Sequence, residues 1–318
     1  MAPVPNVTLN DGNVMPQIGL GTWLSLEGEA KEAIKYALDV GYRHIDTAML
    51  YGNEKEIGEA VREKITDGSV KREELFITSK LWNTFHERDQ VVSACKKSLD
   101  NFCLDYLDLY LVHWPVAQKI VGEIDPKDPF TNAVVFKHDF VETWKGMEEC
   151  VKLGLTKSIG LSNFNSKQIL RILDAATILP VTNQVEVNPH LNQKKLIKFC
   201  KDRNITITAY SPFGSPARTW AKPGQPEIAF DHPTFVEIGR IYGKTSSQVI
   251  LRYLIDIGTI PIPKSSNKER MKLNLDVFDF KLTDKEIAAI DALNMDYRAV
   301  PALDLIDSDE YPFKNVEF

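Results

Sequence analysis

Apolar positions along the chain follow two alternating periods. After a turn signal at Asp11-Gly12, which fits a short N-terminal hairpin, residues 29–40 set Ala30, Ala33, Ile34, Ala37 and Leu38 on one helical stripe. Gly41 follows as a C-terminal stop. A second stripe carries Ile57, Ala60, Val61 and Ile65, and a third Val92, Cys95, Leu99 and Phe102. Between and after these helices lie short apolar runs at 42–46, 75–80, 107–113, 157–162, 181–186, 205–210 and 259–263. Two later helices open with capping boxes, Thr245 with Gln248 and Thr283 with Glu286.

The runs are apolar on both faces and never joined by two-residue turns, the pattern of buried parallel strands. With segment 17–20 they number eight, each followed by a helical pattern. The expected fold is therefore α/β, a (β/α)8 TIM barrel with a short N-terminal hairpin; a doubly wound open sheet is the alternative. Most strand-to-strand intervals fit the ~30 residues of a βαβ step. Two do not, and they contain the long loops 114–141 and 211–234, rich in Pro, Gly and polar residues. These loops and the irregular tail 295–318 account for the excess of 318 residues over the ~250 of a plain barrel. No linker is visible, so one domain, 1–318, is expected.

Charge narrows the partners. Thirty-eight Lys and Arg against 44 Asp and Glu leave a net charge of −6, which argues against nucleic acid. The start has neither a basic nor an apolar leader region, and no run approaches the ~18 apolar residues of a membrane span. Cys95, Cys103, Cys150 and Cys200 are dispersed without a CxxC pair and read as reduced. A cytoplasmic monomer acting on a small molecule, away from membranes, is expected.

In α/β barrels the chemistry sits where strands end. Asp46 ends one strand, Lys80 the next and His113 the third, with Tyr51 in the loop after Asp46. Singly each has a bland reading: a helix cap, a solvated strand end, a structural histidine. Together they place a carboxylate–ammonium pair beside a phenol and an imidazole. A neighbouring Lys⁺ favours phenolate and would draw a Tyr toward working pH, and the set suits protonation of a carbonyl oxygen. Trp23, Trp82 and Trp114 follow strand ends and Trp220 lies in a long loop, which points to an apolar pocket above the polar set. The six histidines form no HxH or HExxH, so a metal-dependent hydrolase lacks ligands. Gly19-Leu-Gly21 opens a dinucleotide fingerprint that fails at Leu24. Lys264, Ser265, Lys268 and Arg270 instead offer an anion site at a helix start, against the bland reading of a solvated basic loop.

Residues 41–54, GYRHIDTAMLYGNE, together with Ile77-Thr-Ser-Lys80-Leu-Trp, Leu111-Val-His113-Trp-Pro, Gly160-Leu-Ser-Asn-Phe164 and Ile262-Pro-Lys264-Ser265, closely resemble the aldo-keto reductase superfamily in its aldose and aldehyde reductase-like branch. The resemblance extends to reductases of ecdysteroid 3-ketones. It implies hydride transfer from NADPH, leaving NADP+, to an aldehyde or ketone. Tyr51 would be the general acid, tuned by Lys80 and Asp46, with His113 orienting the carbonyl. Ser162, Asn163 and Gln184 would meet the nicotinamide amide, with Tyr210 stacked on the ring and Thr22 nearby. Ser211, Phe213 and Ser215 would grip the pyrophosphate, Lys264, Ser265 and Arg270 the 2′-phosphate, and Asn274 the adenine. The substrate pocket would combine Trp23, Tyr51, Trp82, His113, Trp114 and Trp220. A different function on the same fold, an NADP(H)-binding regulatory or structural protein, is the alternative. The chain departs from the family's cofactor latch at Leu24 and Ala217 and from its adenine contact at Leu273, so the resemblance implies a weaker latch and faster cofactor release.

Overall fold

A computed structural model describes residues 2–26, 28–122, 132–216, 218–314 and 318. Strands β1 (Asn6–Thr8) and β2 (Val14–Pro16) form an antiparallel hairpin. Then follow β3 (Leu20–Gly21), α1 (Glu29–Val40), β4 (His44–Asp46), α2 (Glu54–Thr66), β5 (Phe76–Leu81), α3 (Arg88–Phe102) and β6 (Leu107–Val112). Within the first long loop, β7 (Gln118–Ile120) pairs antiparallel with β8 (Ala133–Val135). After it come α4 (Phe140–Lys152), β9 (Thr156–Ser162), α5 (Ser166–Ala175), β10 (Thr182–Glu186), α6 (Lys194–Lys201) and β11 (Thr206–Tyr210). The second long loop leads into α7 (Pro233–Tyr242), α8 (Ser246–Asp256), β12 (Thr259–Pro261), α9 (Lys268–Leu275) and α10 (Asp284–Asp291). Among the described residues no helix is long and apolar enough to cross a membrane.

Eight strands make one curled parallel sheet in the order β12-β11-β10-β9-β6-β5-β4-β3. Its edges meet at a seam. Gly19 N–H donates to Pro261 O (3.1 Å), Gly21 N–H donates to Pro263 O (3.2 Å), and Gly21 bridges Lys264 in parallel. The seam needs glycine: a Cβ on Gly21 would lie 2.7 Å from Ile262 O, and one on Gly19 2.5 Å from the His44 ring. Segment 17–20, expected as a strand, contributes only its last residue to β3, because those contacts run through this seam.

Burial follows the predicted stripes. Ala30, Ala33, Ile34, Ala37 and Leu38 are all buried, and Gly41 takes φ 111°, the left-handed conformation that suits glycine. On α3 the buried face is Val91, Ala94, Cys95, Ser98, Leu99 and Phe102, so Val92 sits beside the expected stripe rather than on it. Both predicted capping boxes form, and a third joins Asn165 with Gln168. Cys95, Cys150 and Cys200 are buried and Cys103 exposed, all four free thiols. Leu9 and Met15, which flank the hairpin turn, pack on Phe76, Leu109, Leu111, Val181 and Ile260 and fill the sheet's interior at its N-terminal end. The C-terminal ends of the strands are left open for chemistry.

Candidate active site

Polar residues converge at that open end because β4, β5 and β6 are adjacent and in register. Asp46 pairs with Thr78, and Lys80 with Leu111. Lys80, fully buried, donates from Nζ to Asp46 Oδ1 (2.6 Å) and Thr47 O (2.8 Å), and its third proton points at Tyr51 Oη (3.4 Å). The other Asp46 oxygen, Oδ2, accepts from Gln184 Nε2 at 2.7 Å, so both carboxylate oxygens are engaged. Thr22 Oγ1 donates to Asp46 O (3.0 Å). Tyr51 ends a 3-10 turn, Met49–Tyr51, which Gly52 closes at φ 69°. Its ring stands edge-on to His113, centroids 5.7 Å apart, and Trp82 backs His113 at 5.3 Å.

Burial sets the protonation states. Taking a phenolate out of water and placing it near the Asp46 carboxylate pushes Tyr51 well above the usual phenol range. The expected lowering of Tyr51 by Lys80 is therefore overturned: desolvation dominates and the phenol keeps its proton. Burial pushes Lys80 below the ordinary lysine range, while Asp46 works in the other direction. Burial and then the Lys80 charge hold His113 well below the ordinary imidazole range, so its ring is neutral, and among the described residues its Nδ1 has no hydrogen-bond partner.

A cavity of about 730 Å³ opens over this group and runs toward α9. Thr22, Trp23, Asp46, Tyr51, His113, Trp114, Ser162, Asn163, Gln184 and Tyr210 line it, as do Ser211, Phe213, Ser215, Lys264, Ser265, Arg270 and Asn274. Lys80 lies behind Asp46 and Tyr51. Trp82 and Trp220 are not part of the lining: Trp82 is buried behind His113, and Trp220, 40% exposed, stacks on Trp23 at 5.4 Å. Lys268 turns away, its ammonium over the Tyr36 ring. Leu24 lines the cavity, Leu273 is exposed outside it, and Ala217 lies outside the described residues.

The middle of the cavity is wired internally. Asn163 Nδ2 donates to His113 O (3.0 Å) and to Ser162 Oγ (3.2 Å), Tyr210 Oη donates to Asn163 Oδ1 (2.8 Å), and Ser162 Oγ donates to Gln184 O (2.9 Å). Asn163, Ser211 and Ser215 hold φ of 64°, 47° and 51°. With Leu24, at φ 60°, that makes four non-glycine residues strained in this way along one cavity, which marks a site over-determined by its surroundings. Residues missed by sequence reasoning line it too: Thr245, Ser246 and Ser247, read only as a helix cap, and Leu50 and Val300. Arg218, also missed, is buried and donates to Gly214 O (3.1 Å) and Pro226 O (3.1 Å), pinning the second long loop. Only proximity in the fold could have revealed these.

The residues fit a dinucleotide. Hydroxyls and amides surround the middle, Lys264 and Arg270 are exposed at the far end, and the Asn267 side chain caps α9 by accepting from Arg270 N–H (3.0 Å).

Comparison with known proteins agrees. A family model described as "Aldo/keto reductase family" matches residues 17–295. Aldo-keto reductase family 1 member A1-A of Danio rerio is 48% identical over 295 residues, covering 92% of this chain and 91% of its own. Aldo-keto reductase AKR2E4 of Bombyx mori is 45% identical over 314 residues, 97% and 98%. The crystal structure of that Bombyx mori protein in complex with NADP superposes with a TM-score of 0.90 at 44% identity, covering 98% of this chain and all (100%) of the other. AKR2E5 complexed with NADPH superposes at 0.90 and 41% identity, covering 100% of this chain and 96% of the other.

Proposed function

Because the chain belongs to the aldo-keto reductase family and is an NADP-dependent oxidoreductase that reduces carbonyl groups, we propose that Tyr51 is its general acid and that Asp46, Lys80 and His113 complete the catalytic set. The observation that carries this is the contact of Tyr51 Oη, at the cavity floor, with a buried lysine ammonium already anchored on Asp46. NADPH supplies the hydride that reaches the carbonyl carbon. Tyr51 Oη gives its proton to the carbonyl oxygen, and Lys80 stabilises the phenolate left behind, which regains a proton from solvent. Neutral His113 faces the reacting oxygen and orients it. Measuring aromatic aldehyde reduction by Tyr51→Phe tests this: turnover disappears while NADPH still binds, and normal turnover refutes the assignment.

We further propose that Ser162, Asn163, Gln184 and Tyr210 hold the nicotinamide, Thr22 beside it, and that Ser211, Phe213 and Ser215 grip the pyrophosphate. Lys264, Ser265 and Arg270 take the 2′-phosphate and Asn274 the adenine. The lining of one continuous cavity supports these roles. Trp23 and Trp114 form the substrate wall, with Trp82 and Trp220 supporting it from behind. In this reading residues 1–318 are one domain, a closed (β/α)8 barrel acting as a cytoplasmic monomer. Steroid 3-ketones such as 3-dehydroecdysteroids belong in its substrate panel beside simple aldehydes. Leu24 at the wall supports a weak latch; stopped-flow release of NADP+ as slow as in a fully latched relative overturns it.

A further inference from the structure

A cation joins the two legs of the second long loop, 211–234. Arg218 is 5% exposed. Its Nη1 donates to Gly214 O (3.1 Å) and Ser215 O (3.3 Å) on the first leg, and its Nη2 donates to Pro226 O (3.1 Å) on the second. All three acceptors are neutral carbonyls. Among the described residues Arg218 forms no ion pair, and its buried Nε has no partner. Lys80, Lys244 and Arg252, whose side chains are also largely buried, each hold a carboxylate: Asp46, Asp276 and Asp256. A guanidinium withdrawn from water onto carbonyl dipoles alone is costly, so the loop carries a charge that awaits an anion.

That charge bears on backbone that faces the cavity. Ser211, Phe213 and Ser215 line it, while Ser211, Gly214 and Ser215 hold φ of 47°, 67° and 51°. In a planar trans peptide the C=O and the following N–H point opposite ways. Gly214 O is turned to Arg218, so Ser215 N–H points away from it, and that N–H has no acceptor among the described residues. Turns of this kind make anion-binding concavities from backbone N–H groups. A cation on the carbonyl also polarises the peptide and strengthens its N–H as a donor. Arg218 itself does not line the cavity.

We propose that Arg218 is a positioning residue for the pyrophosphate of the cofactor: it fixes the peptides of the first leg with Ser215 N–H free to donate, and it supplies a charge that the diphosphate offsets. This rests on the placement of the pyrophosphate against Ser211, Phe213 and Ser215. Because NADH and NADPH share that group, Arg218 serves both alike, whereas Arg270 separates them.

The test measures dissociation constants of NADH and NADPH by fluorescence titration of the full-length enzyme, wild type against Arg218→Gln and Arg218→Lys. Arg218→Gln should weaken both cofactors by the same factor, about tenfold. Arg218→Lys keeps the charge but cannot span three carbonyls, and it should lose less than threefold. A residue that merely closed the loop would fail equally as Lys and as Gln, and that result overturns the proposal. Hydrogen exchange on the wild-type enzyme needs no variant to fold. NADH should slow exchange in both legs, near Ser215 and near Pro226, and protection confined to the first leg also overturns it. Ser211→Ala and Ser215→Ala tell the two possible failures apart. If they weaken NADH while Arg218→Gln does not, Arg218 alone is misassigned; if they leave NADH unchanged, the pyrophosphate lies elsewhere and both readings fall.

Discussion

The two ends of the cavity are built on opposite principles. At the carbonyl end the buried charges are held before any ligand arrives: Lys80 is fully buried with three protein acceptors around it, and Asp46 has both oxygens occupied. At the end proposed for the phosphate Lys264 and Arg270 are exposed; among the described residues Lys264 pairs only with Glu29, at 3.9 Å, and Arg270 has no ion pair. The contrast follows from what each end must do. A proton donor loses efficiency with small misplacement and so needs a rigid, dry seat. A phosphate brings its own charge and can organise long cationic side chains around itself, at a cost in their rotamer freedom.

The largest expected effect breaks the rigid end. Tyr51→Phe should lower kcat about 1,000-fold or more, roughly 4 kcal/mol, while the NADPH dissociation constant, read by fluorescence titration, changes less than threefold. A comparable loss of NADPH affinity would show that the two ends are not independent.

Acid should weaken the fold beneath that end through His44, buried against Phe76 two residues before Asp46. Burial pushes His44 down to about 4, against about 6.5 in an unfolded chain. The unfolded state then takes up the proton first. The His44 contribution is therefore complete above pH 6.5 and falls as pH drops from there toward 4, by about 1.4 kcal/mol per unit and about 3 kcal/mol in all. Calorimetric melting between pH 7 and 4.5 should show the slope, and His44→Phe should remove its share while leaving what His86 and His113, likewise pushed down by burial, contribute.

Breaking the phosphate end costs less and discriminates between cofactors. Arg270→Met should raise KM for NADPH about 30-fold and leave KM for NADH and kcat nearly unchanged. Equal effects on both cofactors would remove Arg270 from the 2′-phosphate. Smallest of all is salt: raising ionic strength from 0.05 to 0.5 M should increase KM for NADPH a few-fold and leave kcat with a neutral aldehyde within a factor of two.

Legibility in the sequence divides along similar lines. The convergence of the proposed catalytic quartet was readable because apolar runs stop where strands stop, and Asp46, Lys80 and His113 stand at those stops. Parallel strands in register bring them together without further information. The proton affinity of Tyr51 was misread, because a charge neighbour is visible in a sequence and the loss of surrounding water is not. Gln184 was taken from the resemblance as a nicotinamide contact, yet its amide also orders Asp46 from across the sheet. The β7–β8 pair inside the first long loop, the Glu186 grip on residues 299 and 300, and the lining by Thr245 to Ser247 all depend on tertiary proximity. None has a local period or motif to announce it.

The glycine seam also constrains how the molecule is made. β3 is two residues long and emerges early, while β12, which completes its other side, is synthesised roughly 240 residues later. At ~5–20 residues per second the first edge waits tens of seconds for its partner on a ribosome. An open edge of that age is a hazard for pairing with other chains. A strand this short, with glycine on both sides of Leu20, offers them little to hold. The residues that let the two edges approach so closely at the end of synthesis also keep the first edge inert until then.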